Sequence, residues 1–427
     1  MNSTQNDKIS QITENTMVVG IDIGCFTHYA RAFDWRGREI SHLYHFLNCR
    51  DQFERFLRWM REVAHENGMK NILVGLEPTG HYWFALGQFL EEHHVTLCMV
   101  NPYHVKQTKE LDDNNQTKND QKDPKVIAKL VLAGRYSYPY VPKGVYADLR
   151  ILSSMHLGLN KSLIQYKNQI ARWFTIWFPE YREVFKDIRA KSSLLVLEKA
   201  CTPDAILALG ADGINAIWRG ARIRAVGMKR ANRLIEAAHR SIGQKEGRET
   251  AAFQMKMLLT DYRKAKEQED EVIEKLEQLC KRIPATEQML SIQGIGIKTV
   301  AGFLAEVGDI GRFQTPKQIQ KLAGLALKEN SSGKHKGATT ISRRGRARLR
   351  TLLFNAAIAL IGKNDAYRKL HQHYTQRSKN PLKKKQSVVA ISCKLIRIFY
   401  ALLSKDIAYD EEKMLKDIVW ESENTVA

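Results

Sequence analysis

The sequence predicts three successive regions: a mixed α/β domain at residues 17–140, a coiled-coil helical region at 145–283, and a mainly α-helical domain at 284–405, followed by a tail. Three observations support this division. Short β-branched runs alternate with amphipathic stretches in the first region, apolar residues recur at spacings of three and four in the second, and glycines interrupt helical patterns in the third. A chain of 427 residues is also too long for one ordinary domain.

The α/β domain opens with an apolar strand at 17–24. A turn signal at 35–38 then predicts a hairpin with strands at 28–34 and 39–46. The elements predicted next are a helix at 51–67, a strand at 71–76, a helix at 81–94, a strand at 95–100, a helix at 102–111 and a helix ending near Leu132. The polar stretch 112–119 between the last two helices is expected to be mobile. This order is typical of a sheet in which three antiparallel strands lead into a parallel pair.

Two segments in the middle region carry a heptad-like pattern, one from Leu149 to Trp173 and the other from Leu258 to Ile283. Such spacing predicts long coiled-coil helices, which could pair with each other or with another protomer. Residues 202–248, which lie between them, are rich in alanine and arginine and predict a small helical insert.

Charge is distributed unevenly along the chain. Its 67 lysines and arginines against 46 acidic residues give a net charge of +21, and residues 1–140 contribute only −1 of it. The strongly basic remainder predicts a polyanionic partner, most simply nucleic acid.

Six scattered cysteines fit a reducing compartment and argue against structural zinc. The apolar stretch at 351–362 is too short for a membrane span, and the polar N-terminus lacks the core of a signal peptide. The sequence therefore predicts a cytoplasmic protein with no membrane partner.

Four acidic residues suggest a metal site. Asp22 lies within an apolar strand, where a carboxylate is expected to be buried and costly unless it binds a partner. Glu77 follows the second apolar strand, and Asp120 and Asp123 lie three apart at the start of a helix. Taken singly, Asp123 could be a helix cap and Glu77 a surface residue. Together the four predict a ribonuclease-H-like site for Mg²⁺, which prefers carboxylate oxygens and supports phosphodiester chemistry.

Two features of the C-terminal domain suggest contact with DNA. The segment 290–300 resembles a helix-hairpin-helix turn in which Gly294, Gly296 and Lys298 would face a phosphate, although it could also be a plain packing element. Residues 328–350 form a basic loop with a local charge of +7 that contains Ser331 and Ser332. The cations expected to hold phosphates there are Lys334, Lys336, Arg343, Arg344 and Arg346. From the residues alone, Ser332 is an ordinary residue of a flexible, binding loop.

Seven motifs in order resemble those of the DEDD-type insertion-sequence transposases of the IS110 and IS1111 groups, together with the pilin-gene DNA invertases. They are Gly20-Ile-Asp22-Ile, Gly75-Leu-Glu77-Pro-Thr-Gly80, Lys118-Asn-Asp120-Gln-Lys-Asp123, Gln293-Gly-Ile-Gly296, Ala323-Gly-Leu325, Ser332-Gly333 and Ile341-Ser-Arg-Arg-Gly345. The resemblance covers 17–135, as a RuvC-like domain, and 284–405, as a serine transposase domain. The stretch around 180–250 is longer than the family pattern.

The resemblance implies a composite site. Asp22, Glu77, Asp120 and Asp123 would bind magnesium, and Ser332, with Ser331 as the alternative, would join transiently to a DNA 5′ phosphate. It further implies double-stranded donor and target DNA, a structured bridge RNA that guides the reaction, and a dimer or tetramer assembled through the coiled coil. Three alternatives stay open: an invertase without a guide RNA, a RuvC-like junction nuclease that uses water, and a non-enzymatic nucleic-acid scaffold.

Overall fold

The computed structural model describes residues 4–78, 80–112, 123–328, 331–332, 335–336, 339–405, 407–416 and 418. The chain divides into two compact units, Met1–Val141 and Pro142–Ala427.

The first unit is built on a six-stranded sheet. Its strands are β1 (Thr16–Ile23), β2 (Thr27–Phe33), β3 (Tyr44–Leu47), β4 (Asn71–Leu76), β5 (Thr96–Val100) and β6 (Tyr136–Ser137). In the sheet order β3-β2-β1-β4-β5-β6, β1 is antiparallel to β2 and parallel to β4, and β5 is parallel to β4. The predicted passage from three antiparallel strands into a parallel pair is confirmed.

Five helices accompany the sheet: α1 (Gln5–Ser10), α2 (Arg50–Glu66), α3 (Phe84–Glu92), α4 (Pro102–Asp112) and α5 (Asp123–Leu132). Alternate residues of β1 serve different cores. Met17, Val19 and Ile21 pack in the cluster that contains α2 and α3, whereas Val18 packs in the cluster that contains α5. The sheet is therefore covered on both faces, as its nearly continuous apolar first strand requires.

Three details of this unit differ from the prediction. The third strand is short and begins at Tyr44 rather than at Glu39, which forms an isolated bridge with Phe33. Helix α3 begins three residues later than predicted, because 81–83 form a turn. Helix α1 and strand β6 were not predicted, since each is too short to show a period. The stretch 112–119 lies almost wholly outside the described residues.

In the second unit, α6 (Val145–Trp177) is followed by α7 (Tyr181–Val184), α8 (Lys191–Leu197), α9 (Pro203–Gly220), α10 (Met228–His239) and α11 (Arg248–Cys280). The long helices α6 and α11 pack on each other in opposite directions. Trp173, near the end of α6, donates from Nε1 to the carbonyl of Ala251, near the start of α11, at 2.8 Å. Of the two pairings left open by the sequence, pairing within the chain is therefore present.

The four shorter helices between α6 and α11 have a core of their own, into which the adjoining ends of α6 and α11 also pack. Trp218 is fully buried there and donates from Nε1 to the carbonyl of Ser192 at 2.8 Å. The predicted helical insert is thus a small packed subdomain. We call residues 180–247 the insert.

The remaining helices are α12 (Thr286–Leu290), α13 (Ile297–Val307), α14 (Pro316–Leu322), α15 (Ala347–Lys363), α16 (Asp365–Gln376), α17 (Lys384–Lys405) and α18 (Glu411–Leu415), with a 3₁₀ turn at Ile310–Arg312. Among the described helices, α17 alone is long and apolar enough to cross a membrane. It is a different segment from the apolar stretch at 351–362, which is too short for a membrane span. Its residues Ile391, Leu395 and Phe399 are buried in the core of this unit.

The predicted basic loop contains strands instead. Four short strands, β7 (Leu327–Lys328), β8 (Ser331–Ser332), β9 (His335–Lys336) and β10 (Thr340–Ile341), form two antiparallel pairs. Strand β7 pairs with β10, and β8 pairs with β9, with Ser332 opposite His335 in the register. The prediction of an irregular loop is wrong for these residues, because polar β-hairpins lack the apolar alternation by which strands are usually found.

Candidate active site

Helix α5 lies directly against the sheet at a pair of glycines. Gly20 of β1 and Gly75 of β4 are partners in the parallel register. A Cβ atom at Gly20 would lie 1.9 Å from the carbonyl oxygen of Pro124, and one at Gly75 would lie 2.5 Å from Val131 Cγ2. Side chains at either position would displace the helix, so the glycines allow the start of α5 to approach β1.

The same register between β1 and β4 determines the positions of Asp22 and Glu77. The last paired residues of β1 and β4 are Ile21 and Leu76, so Asp22 and Glu77 occupy the next position on each strand. Each lies two residues beyond one of the paired glycines and therefore projects from the face of the sheet that carries α5. Asp22 is partly exposed, although its neighbours Ile21 and Ile23 are buried. The carboxylate is therefore partly buried, rather than fully buried as expected.

Asp123 joins these two residues through the first turn of α5. Its carboxylate forms an ion pair with Lys109 of α4 and is mostly shielded from solvent. Burial raises the pKa of Glu77 above its ordinary value; Lys109 partly opposes this effect and Asp123 adds to it. Lys109 and Asp123 therefore both act on the charge of the Glu77 carboxyl group. The sequence analysis did not identify Lys109, which is one of several basic residues on a polar helix.

Carboxylates at the ends of β1 and β4 and at the start of α5 are the donors that a hard divalent cation prefers. The fourth predicted ligand, Asp120, lies outside the described residues. Within the described ranges, no three histidine, cysteine or acidic side chains lie close enough together to hold a metal ion. In this structure the ammonium group of Lys109 is the positively charged partner of the Asp123 carboxylate.

The predicted helix-hairpin-helix segment consists of α12, a turn and α13. Gly294 adopts a φ of 100°, where a side chain would be strained, and Gly296 is the N-cap of α13. Lys298, predicted to contact phosphate, instead pairs with Glu269 of α11, with Nζ 2.8 Å from Oε1. The Lys298 side chain is half exposed, and its contact with phosphate stays a prediction.

Glu269 is the residue that the sequence analysis missed. It occupies a core position of the heptad pattern and is only 5 % exposed. Burial alone would raise its pKa, but hydrogen bonds from Lys266 and Lys298 outweigh this effect and hold the pKa at about 2. His156 Nε2 of α6 lies 3.5 Å from its carboxylate, and burial lowers the pKa of this histidine. A charged residue in the apolar seam was the signal in the sequence, since such residues need partners.

The predicted phosphate-binding arginines occupy different environments. Arg343 and Arg344 are exposed, and Arg343 has a φ of 56°. Arg346 donates to the backbone carbonyl of Glu306 and lies 3.4 Å from its carboxylate, so it also braces α13. The side chains of Lys334, Lys336 and Ser332 lie outside the described residues.

Two family models match the chain. Residues 19–179 match the model DEDD_Tnp_IS110, described as "Transposase", and residues 286–372 match the model described as "Transposase IS116/IS110/IS902 family". Together they cover more than half of the chain. The chain belongs to the IS110 family of transposases. In this IS110-family chain, Asp22, Glu77 and Asp123 fall within the first match and β7–β10 fall within the second.

Individual relatives agree with this assignment. The chain is 34% identical over 126 residues to the pilin gene-inverting protein of Moraxella bovis, covering 29% of this chain and 38% of the relative. It is 32% identical over 148 residues to the transposase for insertion sequence element IS1111A of Coxiella burnetii, covering 34% and 38%. An insertion element IS110 protein of Streptomyces coelicolor is 22% identical over 306 residues, covering 70% and 73%. The first two matches thus span well under half of those relatives' lengths.

Proposed function

We propose that this chain is a magnesium-dependent DNA transposase and site-specific recombinase that cuts and rejoins DNA through an acidic site and a serine. The observation that carries the proposal is the placement of Asp22, Glu77 and Asp123 at one end of the sheet, on the face covered by α5. These are three of the four acids that the family resemblance implies. Asp120 is proposed as the fourth.

The acids fit magnesium by their chemistry. Asp22, Glu77, Asp120 and Asp123 would hold it through carboxylate oxygens, and the bound ion would stabilise negative charge on the phosphate oxygens at the cleavage point. The chain itself shields Asp123 and balances its charge with Lys109 until a divalent cation takes that role. The paired glycines allow α5 to approach closely enough to supply Asp123.

The second part of the proposal is a covalent step at Ser332, which lies in β8. The serine oxygen forms a bond to phosphorus as the bond from phosphorus to the 3′ oxygen breaks. The serine proton passes to a base, and the departing 3′ oxygen takes up a proton. A 3′ hydroxyl of another strand then attacks the phosphorus and gives up its proton, while the bond from phosphorus to the serine oxygen breaks and that oxygen takes up a proton. The exchange of one phosphate ester for another rejoins the DNA without an external energy source. The acidic and serine parts are proposed to meet in a composite site between protomers.

The proposed partners are double-stranded donor and target DNA, a structured guide RNA and further copies of this chain, as a dimer or tetramer, in the bacterial cytoplasm at the nucleoid. The excess of 21 positive charges supports a nucleic-acid partner. The helices α6 and α11 are the proposed route to oligomers. A second candidate is a DNA invertase that uses no RNA, which is favoured by the similarity to the pilin gene-inverting protein.

Paired serine variants test the proposal. Ser332→Ala should abolish strand exchange while DNA binding persists, and the neighbouring Ser331→Ala should retain exchange. Asp22→Asn should also abolish exchange, because the acidic site loses a ligand charge. If Ser332→Ala still cleaves DNA, the chain is a nuclease that uses water and the serine step is wrong. A guide RNA should co-purify with the wild-type protein; an invertase would exchange strands without it.

A further inference from the structure

The insert contains an open, basic cleft that lies outside both segments matched by the family models, which end at residue 179 and resume at 286. It is formed by the turn between α9 and α10 and by the first turns of α10, and its volume is about 420 Å³. The side chains of Arg224, Lys229, Arg230 and Arg233 line it, together with small and aliphatic residues. No function has been derived above for this part of the chain.

Charge in this region is concentrated and uncompensated. Residues 219–233 contain six lysines and arginines and no acidic residue. Arg224 and Lys229 are exposed, and neither forms an ion pair with any described residue. By contrast, Arg240 and Arg248, elsewhere on this subdomain, are each paired with a carboxylate. The cleft therefore presents cations that are available to an anionic partner.

Local structure holds the cleft in shape. Arg219 Nη2 donates to the carbonyl of Val226 at 3.0 Å, which spans the turn. The backbone N–H of Ile223 donates to the carbonyl of Trp218 at 2.9 Å, and Arg222 occupies the left-handed position, with a φ of 56°, where glycine usually ends a helix. The turn is thus ordered by its own bonds rather than by a ligand.

The two inner arginines are also anchored. The Arg230 guanidinium lies 5.8 Å from the centroid of the Phe185 ring, and Arg233 donates to the backbone carbonyl of Glu183. Helix α10 has 12 residues and begins after Gly227, which provides no side-chain acceptor for the first N–H groups. Its positive end adds to the field of the cations.

We propose that this cleft binds the phosphate backbone of a nucleic acid and forms a second contact surface of the recombinase, separate from the acidic and serine sites. Its cations are opposite in charge to phosphates, whereas its small and aliphatic remainder offers no exposed aromatic ring on which bases could stack. The cleft would therefore bind the nucleic-acid backbone without distinguishing one base sequence from another. This inference rests on the proposed function in one respect, which is that the nucleic acid in the cleft is the DNA or the guide RNA of the reaction.

The test uses the full-length chain and the salt dependence of binding. Arg224→Gln combined with Lys229→Gln removes two cations that have no ion pair to lose, so the fold should persist. Lys199→Gln combined with Lys245→Gln is the control, because both lysines are exposed on the same subdomain but do not line the cleft. Binding is measured by fluorescence anisotropy with a mixed-sequence duplex DNA and with a stem-loop RNA of equal length.

Each phosphate contact on duplex DNA adds about 0.9 to the slope of log affinity against log salt, so two lost contacts should reduce that slope by nearly 2. We expect this reduction for the cleft variant with at least one probe, and the probe that responds identifies the partner as DNA or RNA. Unchanged slopes with both probes, or an equal reduction in the control, would overturn the inference. A failure of the serine chemistry would leave these binding slopes unaltered, so the two proposals can fail separately.

Discussion

Replacing Glu269 with glutamine removes one negative charge from the seam between α6 and α11 with little change in volume. In the folded chain this carboxylate has a pKa of about 2 instead of 4.5, because Lys266 and Lys298 donate to it. Each pKa unit corresponds to about 1.4 kcal/mol, so the ionised carboxylate contributes about 3 kcal/mol to folding at neutral pH. We expect Glu269→Gln to lose most of this stability at pH 7.

The sign of the pH dependence follows from the lowered pKa. A carboxylate of this kind stabilises the fold fully above its unfolded pKa, and the contribution disappears as the pH falls through the folded pKa. The deficit of the glutamine variant should therefore be constant between pH 7 and pH 8 and shrink to less than half near pH 3. His156 titrates beside this carboxylate: because burial lowers its pKa, the wild-type fold also loses stability as the pH drops below about 6.5.

Urea unfolding followed by tryptophan fluorescence at several pH values measures the deficit. Glu267→Gln, an exposed substitution two residues earlier on the same helix, is the matched control and should change the midpoint little. Equal stability of the two variants at pH 7, or a deficit of Glu269→Gln that is the same at pH 3 as at pH 7, would show that the ionised Glu269 carboxylate does not stabilise the fold.

Three further predictions concern contacts around the acidic residues and between α6 and α11. Gly20→Ala should lower the free energy of unfolding by at least about 2 kcal/mol, toward the upper end of the range for overpacking, because the new methyl group would collide with the first turn of α5. For the same reason it should weaken Mn²⁺ binding. Thermal unfolding measures the first effect and Mn²⁺ titration the second. Lys109→Met removes the ammonium group that pairs with Asp123. Mn²⁺ binding should become about fivefold tighter, because repulsion from a nearby unit charge is worth about 1 kcal/mol. Weaker Mn²⁺ binding would show instead that the lysine supports the site. Trp173→Phe removes the hydrogen bond to Ala251 and should lower the free energy of unfolding by about 1 kcal/mol, while a gain in stability would contradict the assigned contact.

Much of the fold could be predicted from periodicity. The strand Asn71–Leu76 and the helix ending at Leu132 have the predicted bounds, and the heptad residues of α6 and α11 face one another because their spacing matches the helical period. The four strands at 327–341 could not be predicted, since each has only two residues and is too short to show an alternation.

The candidate site could be predicted in its acids but not in its electrostatics. The strand positions of Asp22 and Glu77 are visible in the sequence, whereas the pairing of Asp123 with Lys109 depends on how α4 and α5 pack. Lys298 shows the same limit. Its place after two glycines suggested phosphate contact, but its partner Glu269 is 29 residues away in the chain and is brought to it by the packing of α11 against α13.

The most direct test of the central claim is to trap the reaction with denaturant and map the protein–DNA adduct by mass spectrometry. Active wild-type protein should yield a peptide in which Ser332 carries a nucleotide through a 5′ phosphate, and Asp22→Asn should yield none. A wild-type reaction that exchanges strands but leaves Ser331 and Ser332 unmodified would contradict the account.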